Sequence, residues 1–288
     1  MTKFKVSLQL YSIRDEMERD MEATLAKVKE MGYDYLEFAG FYGRTAEEIR
    51  ELLEKHELEC VSVHLPYEVF FENGDNMVKF LKTIGAKYSV VPWMDIEKHA
   101  GSERFKETKE DFIKVGQMLR DSGITLLYHN HEFEFKKYED KYLLDWLFES
   151  IPEDLLQTQI DTCWVNYAGV DPVEYINKYS GRAPIIHLKD FVCKNKNNGS
   201  VYSLIDSEGK TDKDPSREDN GFEYRPLGEG VQDIPAILEA AKEAGTTYII
   251  VEQDESTTCS PLEAARRSRE YLKTLGLQFG VKEEYNYG

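Results

Sequence analysis

The fold class predicted is α/β, a single (β/α)8 barrel spanning residues 1–288, on three features of the sequence. Short β-branched and aromatic runs alternate with amphipathic stretches from one end to the other, the pattern of a parallel sheet with crossover helices. Glycines recur just before the next apolar run, at Gly32, Gly85, Gly123, Gly181 and Gly245, where a left-handed residue can end a helix. Eight such units fill the 288 residues without a spare linker, and about 250 residues is the usual size of this barrel.

Strand one is expected over residues 5–11, and the helix over 21–31 that follows places Leu25, Val28 and Met31 on one face. Strand two covers 35–39, after which Thr45 and Glu48 form a capping box for the next helix. Strands three to eight are expected at 60–64, 88–92, 125–130, 157–161, 184–188 and 248–252. The stretch 191–233 after strand seven contains no convincing strand or long helix. A connection of that length acts as a lid over the site, as a flexible insertion or as an oligomer contact. Its Tyr202, Phe222, Tyr224 and Arg225 are the side chains available to cover a substrate.

Fifty-four acidic against thirty-six basic residues give a net charge of −18. That balance repels a phosphate backbone, so nucleic acid is not an expected partner. No apolar run reaches the ~18 residues that a spanning helix needs, so a membrane is not expected either. The amino terminus runs from Met1 directly into strand-like alternation without a secretory leader, which predicts a cytoplasmic protein. Cys60, Cys163, Cys193 and Cys259 show no paired spacing and read as reduced thiols. Barrels of this size often assemble, so a homo-oligomer is possible by analogy.

The chemistry is expected where the strands end, because loops and side chains converge on the carboxyl edge of such a barrel. His129, Asp161, His187 and Glu252 end strands five to eight, and together they offer imidazole and carboxylate ligands for one divalent cation, Mn, Zn, Co or Mg. His131 shares the strand parity of His129 and is assigned to the substrate, as a base outside the metal shell, or to a loop hydrogen bond. Lys189 follows His187 on the same face and can stabilise a developing enolate oxygen or pair with Asp190 or Asp254. Glu252 can bind the metal through one oxygen and take a carbon-bound proton with the other. Glu37, His64, Trp93 and Trp164 stand further round the mouth, and with Arg225 they make up a substrate pocket suited to a sugar or polyol. The Gly228-Glu229-Gly230 motif offers a possible phosphate cradle, though a short glycine motif specifies little.

At these residues a family becomes recognisable. Leu8-Gln9-Leu10-Tyr11-Ser12-Ile13-Arg14, Tyr128-His129-Asn130-His131, Ile160-Asp161-Thr162, His187-Leu188-Lys189-Asp190 and Val251-Glu252, in that order, resemble the xylose-isomerase-like TIM barrel superfamily, in particular its sugar phosphate isomerase/epimerase branch. The resemblance implies a divalent-metal-dependent sugar or sugar phosphate isomerase or epimerase acting by proton abstraction next to a carbonyl. The alternative it implies is a lyase that eliminates from an inosose or a 3-keto-glycoside by the same enediolate chemistry. In the epimerases of this family a glutamate, an aspartate, a histidine and a glutamate on strands five to eight hold the metal, and both glutamates exchange the substrate proton. Here His129 takes the first glutamate's place, which removes one of the two bases. The superfamily also includes an apurinic-site endonuclease, which resembles this chain in barrel and shared ligands, but its three-zinc cluster needs further histidines where this chain has Trp93 and Trp164. A non-catalytic sugar-binding module is the remaining class, and it would have no need of an open metal position.

Overall fold

The computed structural model describes residues 4–194 and 221–277. Eight parallel strands close into a barrel: β1 (Lys5–Gln9), β2 (Tyr35–Phe38), β3 (Glu59–His64), β4 (Tyr88–Val91), β5 (Thr125–His129), β6 (Gln157–Asp161), β7 (Ile185–Leu188) and β8 (Tyr248–Val251). Each pairs with its sequence neighbours, and β8 closes on β1 through Lys5↔Tyr248 to Leu8↔Val251. The expected (β/α)8 barrel is therefore present, with strand ends within one or two residues of those read from the sequence. The helix at Met21–Met31 and the Thr45/Glu48 capping box stand as expected, and all five connecting glycines adopt positive φ.

Alternation along each strand sorts the side chains into two populations. Leu126, Tyr128, Ile160, Ile186, Leu188 and Ile249 belong to the large core that packs the barrel against its helices. The intervening Val90, Leu127, Ile185, Tyr248 and Ile250 form a separate apolar cluster that fills the barrel itself. Toward the carboxyl ends of the strands the inward positions turn polar, with Gln9, Glu37, Ser62, His129, Gln159, Asp161 and His187 all buried. Desolvating so many polar groups is unfavourable unless they satisfy one another. This change in the interior lining positions the site.

The stretch after β7 departs from the strandless reading. Asp190–Val192 pairs antiparallel with Glu223–Arg225, with Phe191 opposite Tyr224. Short ribbons of this kind are hard to read locally because their partner lies across a long connection. Residues 195–220, including Tyr202, lie outside the described residues. Phe191, Phe222 and Tyr224 join Cys163, Trp164 and Tyr167 in an aromatic cluster beside the mouth.

The glycine motif after this ribbon is already committed within the fold. The Gly228 and Gly230 amides both donate to Asp190 Oδ2 at 3.0 Å, while the Phe191 and Gln232 amides donate to Oδ1. A carboxylate of the chain thus fills the place suggested for a phosphate. The Asp190 pairing suggested for Lys189 is also replaced, because the lysine turns to other carboxylates. A Cβ on Gly230 would meet Asp190 Oδ1 at 2.1 Å and Phe191 O at 2.5 Å. Gly230→Ala is expected to destabilise the protein by about 1–3 kcal/mol, read as a lower midpoint in thermal unfolding, whereas an unchanged midpoint would show that the loop relaxes freely.

Candidate active site and metal centre

Strand register brings the proposed ligands together. His129 of β5 lies opposite Gln159 of β6, and Asp161 of β6 lies opposite His187 of β7. Glu252 follows β8 directly, its amide continuing the ladder to Leu188 O at 3.1 Å. One ligand atom from each of His129, Asp161, His187 and Glu252 lies within 4.8 Å of the other three, and all four residues are buried.

The donor set fits a divalent cation. Asp161 is wholly buried; its Oδ1 accepts from the Cys163 and Trp164 amides at 2.9 and 3.1 Å and so caps the helix Thr162–Tyr167. Its Oδ2 accepts no hydrogen bond and lies 3.6 Å from His129 Nε2. His187 Nδ1 lies 2.9 Å from Glu252 Oε2. Ligand–ligand separations of roughly 3–3.6 Å are those spanned by a cation with bonds of about 2.0–2.2 Å. Both readings of Asp161 therefore coexist, since one oxygen caps the turn and the other faces the cluster.

The electrostatics of the cluster divide its members by charge. Burial, reinforced by neighbouring cations, holds the His129 and His131 imidazoles neutral by driving their pKa values well below normal. Burial also works against charge on His187, but Glu37 and Glu252 outweigh it and raise the pKa to about 10. The same two carboxylates that favour a proton there would favour a metal cation at Nδ1 in its place. Burial raises Asp161 to about 6, partly countered by Lys189 and His187. Glu252 is held well below the usual carboxylate range because Lys189 and His187 overcome its burial. It is thus ionised at neutral pH. Both of those partners meet it at Oε2, and its Oε1 accepts no hydrogen bond among the described residues.

Lys189 is buried, its Nζ 2.8 Å from Glu252 Oε2, 3.2 Å from Asp161 Oδ2 and 3.1 Å from Asp254 Oδ1. Burial would lower its pKa, but these three carboxylates drive it well above normal and keep the ammonium charged. Asp254 in turn accepts from the Tyr224 hydroxyl at 2.6 Å. The ribbon is thereby tied to the centre of the site. His131 is buried against the ring of Phe133 and 5.9 Å from Trp164. Its backbone amide donates to Glu134 Oε2 at 2.6 Å. Burial raises that glutamate's pKa to about 8.

The residues expected around the substrate are placed unequally. Trp164 is fully buried, stacked on Phe222 at 5.7 Å, with Lys189 Nζ 5.5 Å from its ring centroid. His64 joins the cluster, its ring 5.2 Å from His129 and 5.6 Å from His187. Glu37 lies beneath the mouth, fully buried, where His187 Nε2 and Gln9 Nε2 reach its Oε1 at 2.7 Å. Trp93 is half-buried after β4, and among the described residues no hydrogen bond or ring contact ties it to the cluster. Arg225 is bound within the ribbon, paired with Glu223 Oε2 at 2.6 Å and donating to Tyr224 O.

Sequence reasoning passed over Gln159, Gln9, Ser62 and Asn130. Gln159 links the site to its floor, with Oε1 3.0 Å from His129 Nδ1 and 2.9 Å from His64 Nε2. Asn130 joins the ends of two strands, accepting from the Asp161 amide at 2.9 Å and donating to Asp161 O. The available signal was parity, because Gln159 stands two residues before Asp161 and points to the same side of β6.

Comparison with known proteins agrees with this architecture. An inosose dehydratase from Clostridium perfringens (strain 13 / Type A) is 25% identical over 281 residues, covering 89% of this chain and 90% of the relative. The crystal structure of a sugar phosphate isomerase/epimerase from Parabacteroides distasonis superposes with a TM-score of 0.75 at 19% identity, covering 93% of this chain and 97% of the other. The IOLI protein, solved with a bound zinc atom, superposes with a TM-score of 0.67 at 15% identity, covering 96% of this chain and 100% of the other. The model of the xylose isomerase-like TIM barrel family matches residues 25–275, nearly the whole of the closed barrel, and the chain belongs to that family.

Proposed function

We propose that this chain is a divalent-metal-dependent lyase that removes a proton beside the ketone of a sugar or cyclitol and expels the oxygen substituent on the next carbon. The observation that carries the one-base proton abstraction is the asymmetry of the site. Glu252 presents an ionised carboxylate whose two partners among the described residues both meet Oε2, whereas the corresponding position on β5 is His129, whose Nδ1 is engaged by Gln159. A single carboxylate base supports elimination or isomerisation more readily than two-base epimerisation. The 25% identity with an inosose dehydratase over nearly the full length of both chains also favours a dehydratase chemistry.

His129, Asp161, His187 and Glu252 would hold the cation, which when bound polarises the substrate ketone and acidifies the adjacent C–H. Glu252 takes that proton, and the C–H electron pair moves into an enediolate. The Lys189 ammonium lies against the same carboxylates and stabilises negative charge developing on the oxygen. Collapse of the enediolate restores the ketone, forms the carbon–carbon double bond and breaks the neighbouring C–O bond. The departing oxygen leaves as water or as an alcohol by gaining the proton that Glu252 took, which restores the carboxylate. His131 and His64, whose rings lie beside that of His129, would face the sugar, while Trp164 packs behind them under Phe222.

Isomerisation is the second reading, and the histidine cluster favours it equally because it shares every step up to the enediolate. Incubating the enzyme with Mn or Co and candidate inososes, ketoses and 3-keto-glycosides separates the two by mass spectrometry. A product lighter by one water, or release of the aglycone, is the expected result. Turnover at constant mass would overturn elimination in favour of isomerisation, and binding without turnover across the panel would favour a sugar-binding module.

A further inference from the structure

We infer that a single buried carboxylate, Glu37, decides which ring nitrogen of both histidines faces the proposed metal centre, directly through the orientation of His187 and through Gln159 by the tautomer of His129. Glu37 and Gln159 are positioning residues in this account, which rests on the metal reading given above. The two oxygens of Glu37 receive Gln9 Nε2 at 2.7 Å, Ser62 Oγ at 2.5 Å and Gln159 Nε2 at 2.6 Å. They also receive His187 Nε2 at 2.7 Å and His64 Nε2 at 2.9 Å. A carboxylate that gathers this many donors acts only as an acceptor. The Gln159 carboxamide must therefore turn its nitrogen toward Glu37 and its oxygen toward the histidines, since the opposite flip would set two oxygens 2.6 Å apart.

That orientation has a definite consequence at His129. Gln159 Oε1 lies 3.0 Å from His129 Nδ1, so Nδ1 carries the hydrogen. A neutral imidazole then has its lone pair on Nε2, the atom facing Asp161 Oδ2 at 3.6 Å. Two acceptors thus face each other with no hydrogen between them, an arrangement that a cation stabilises. At His187 the bond from Nε2 to Glu37 leaves Nδ1 directed at Glu252 Oε2, 2.9 Å away. Outer carboxylates commonly fix ligating histidines in this manner. Here one anion, buried at zero exposure, supports two proposed ligands from beneath, one directly and one through Gln159. His64 Nε2 also approaches both Glu37 Oε1 and Gln159 Oε1 at 2.9 Å, which adds a third ring to the same network.

Long-range nitrogen–proton NMR of the metal-free protein, with histidine signals assigned by single substitutions, reads the tautomers directly. His129 is expected to carry its proton on Nδ1, and a wild-type His129 protonated on Nε2 alone would overturn the inference whatever the variants do. Gln159→Met keeps the volume but removes the acceptor. It is expected to lose the single His129 tautomer and to bind Mn(II) about 10–100-fold more weakly by calorimetry, with circular dichroism reporting an intact fold. Glu37→Gln should weaken the binding at least as much, because both histidines lose their anchor. A folded Gln159→Met protein that keeps both the tautomer and the wild-type Mn(II) affinity would also overturn it. Wild-type protein that binds neither Mn(II) nor Zn(II) would instead defeat the metal reading, while the tautomer measurement would still decide the network.

Discussion

Glu252→Gln is expected to reduce exchange of the substrate's acidic proton by about 10³–10⁴-fold, near the upper range for removal of a general base. The reasoning starts from charge. Lys189 and His187 hold the Glu252 carboxyl well below its usual pKa despite burial, so it is a carboxylate at neutral pH. One oxygen is engaged by His187 Nδ1 and Lys189 Nζ at 2.9 and 2.8 Å, which leaves the other to meet a substrate C–H. Glutamine has nearly the same shape and retains an oxygen for one of those donors, so the strand end and the barrel should persist. It has no basic oxygen to receive a proton at neutral pH. The loss should fall on kcat far more than on KM, because the group acts in the transition state rather than in ground-state binding. Incorporation of solvent deuterium beside the ketone, followed by NMR, measures the step without relying on the overall reaction. Wild-type exchange by the variant would exclude Glu252 as the base and direct attention to His131.

Asp161→Asn is expected to abolish tight binding of the divalent cation while leaving the fold in place. Asp161 performs two tasks with two oxygens. Oδ1 caps the helix Thr162–Tyr167 through the Cys163 and Trp164 amides, and Oδ2 faces the cluster without accepting a hydrogen bond. Asparagine can keep the capping oxygen, so the turn after β6 retains its amide partners. Its amide nitrogen would replace Oδ2 and donate toward the lone pair of His129 Nε2, now 3.6 Å from that position. The substitution thus deletes one proposed ligand, masks a second and removes a negative charge next to Lys189. The decrease in affinity should exceed the ~10–100-fold produced by removing a supporting partner of a ligand. Elemental analysis and calorimetry measure it, and retention of wild-type metal content would show that Asp161 serves the fold alone.

Both substitutions bear on how the acidic centre tolerates burial. Asp161, Glu252 and Asp254 surround one lysine, and Glu37 lies one layer below among five donors. Carboxylates removed from water persist only when charge or hydrogen bonds compensate them. The compensation for Glu37 comes from strands one, three, six and seven together, so the polar floor is a product of barrel closure. Tyr224 extends it outward by donating to Asp254, which ties the ribbon after β7 to the same charges.

Much of this protein is legible in its residues alone because the signals are local. Strand parity, glycines that end helices and the Thr45/Glu48 box each involve residues a few positions apart, and they are enough to order all eight strands. The identity of His129, Asp161, His187 and Glu252 as strand-end donors is legible for the same reason, and so is the unusual histidine on strand five. What parity cannot supply is register across the barrel. Gln9 beside Glu37, Glu37 beside Ser62 and His129 beside Gln159 are partners between strands, and Glu37 meets His187 across 150 positions of chain. Residue types alone place Glu37 and Trp164 with the substrate, whereas packing buries the first under the site and the second under the ribbon. The sequence by itself determined the barrel and the donors at its rim, because a period of two is written in neighbouring residues. Which nitrogen or oxygen of each donor faces the centre was decided only by the tertiary structure, because hydrogen-bond direction depends on partners brought together when the sheet closes.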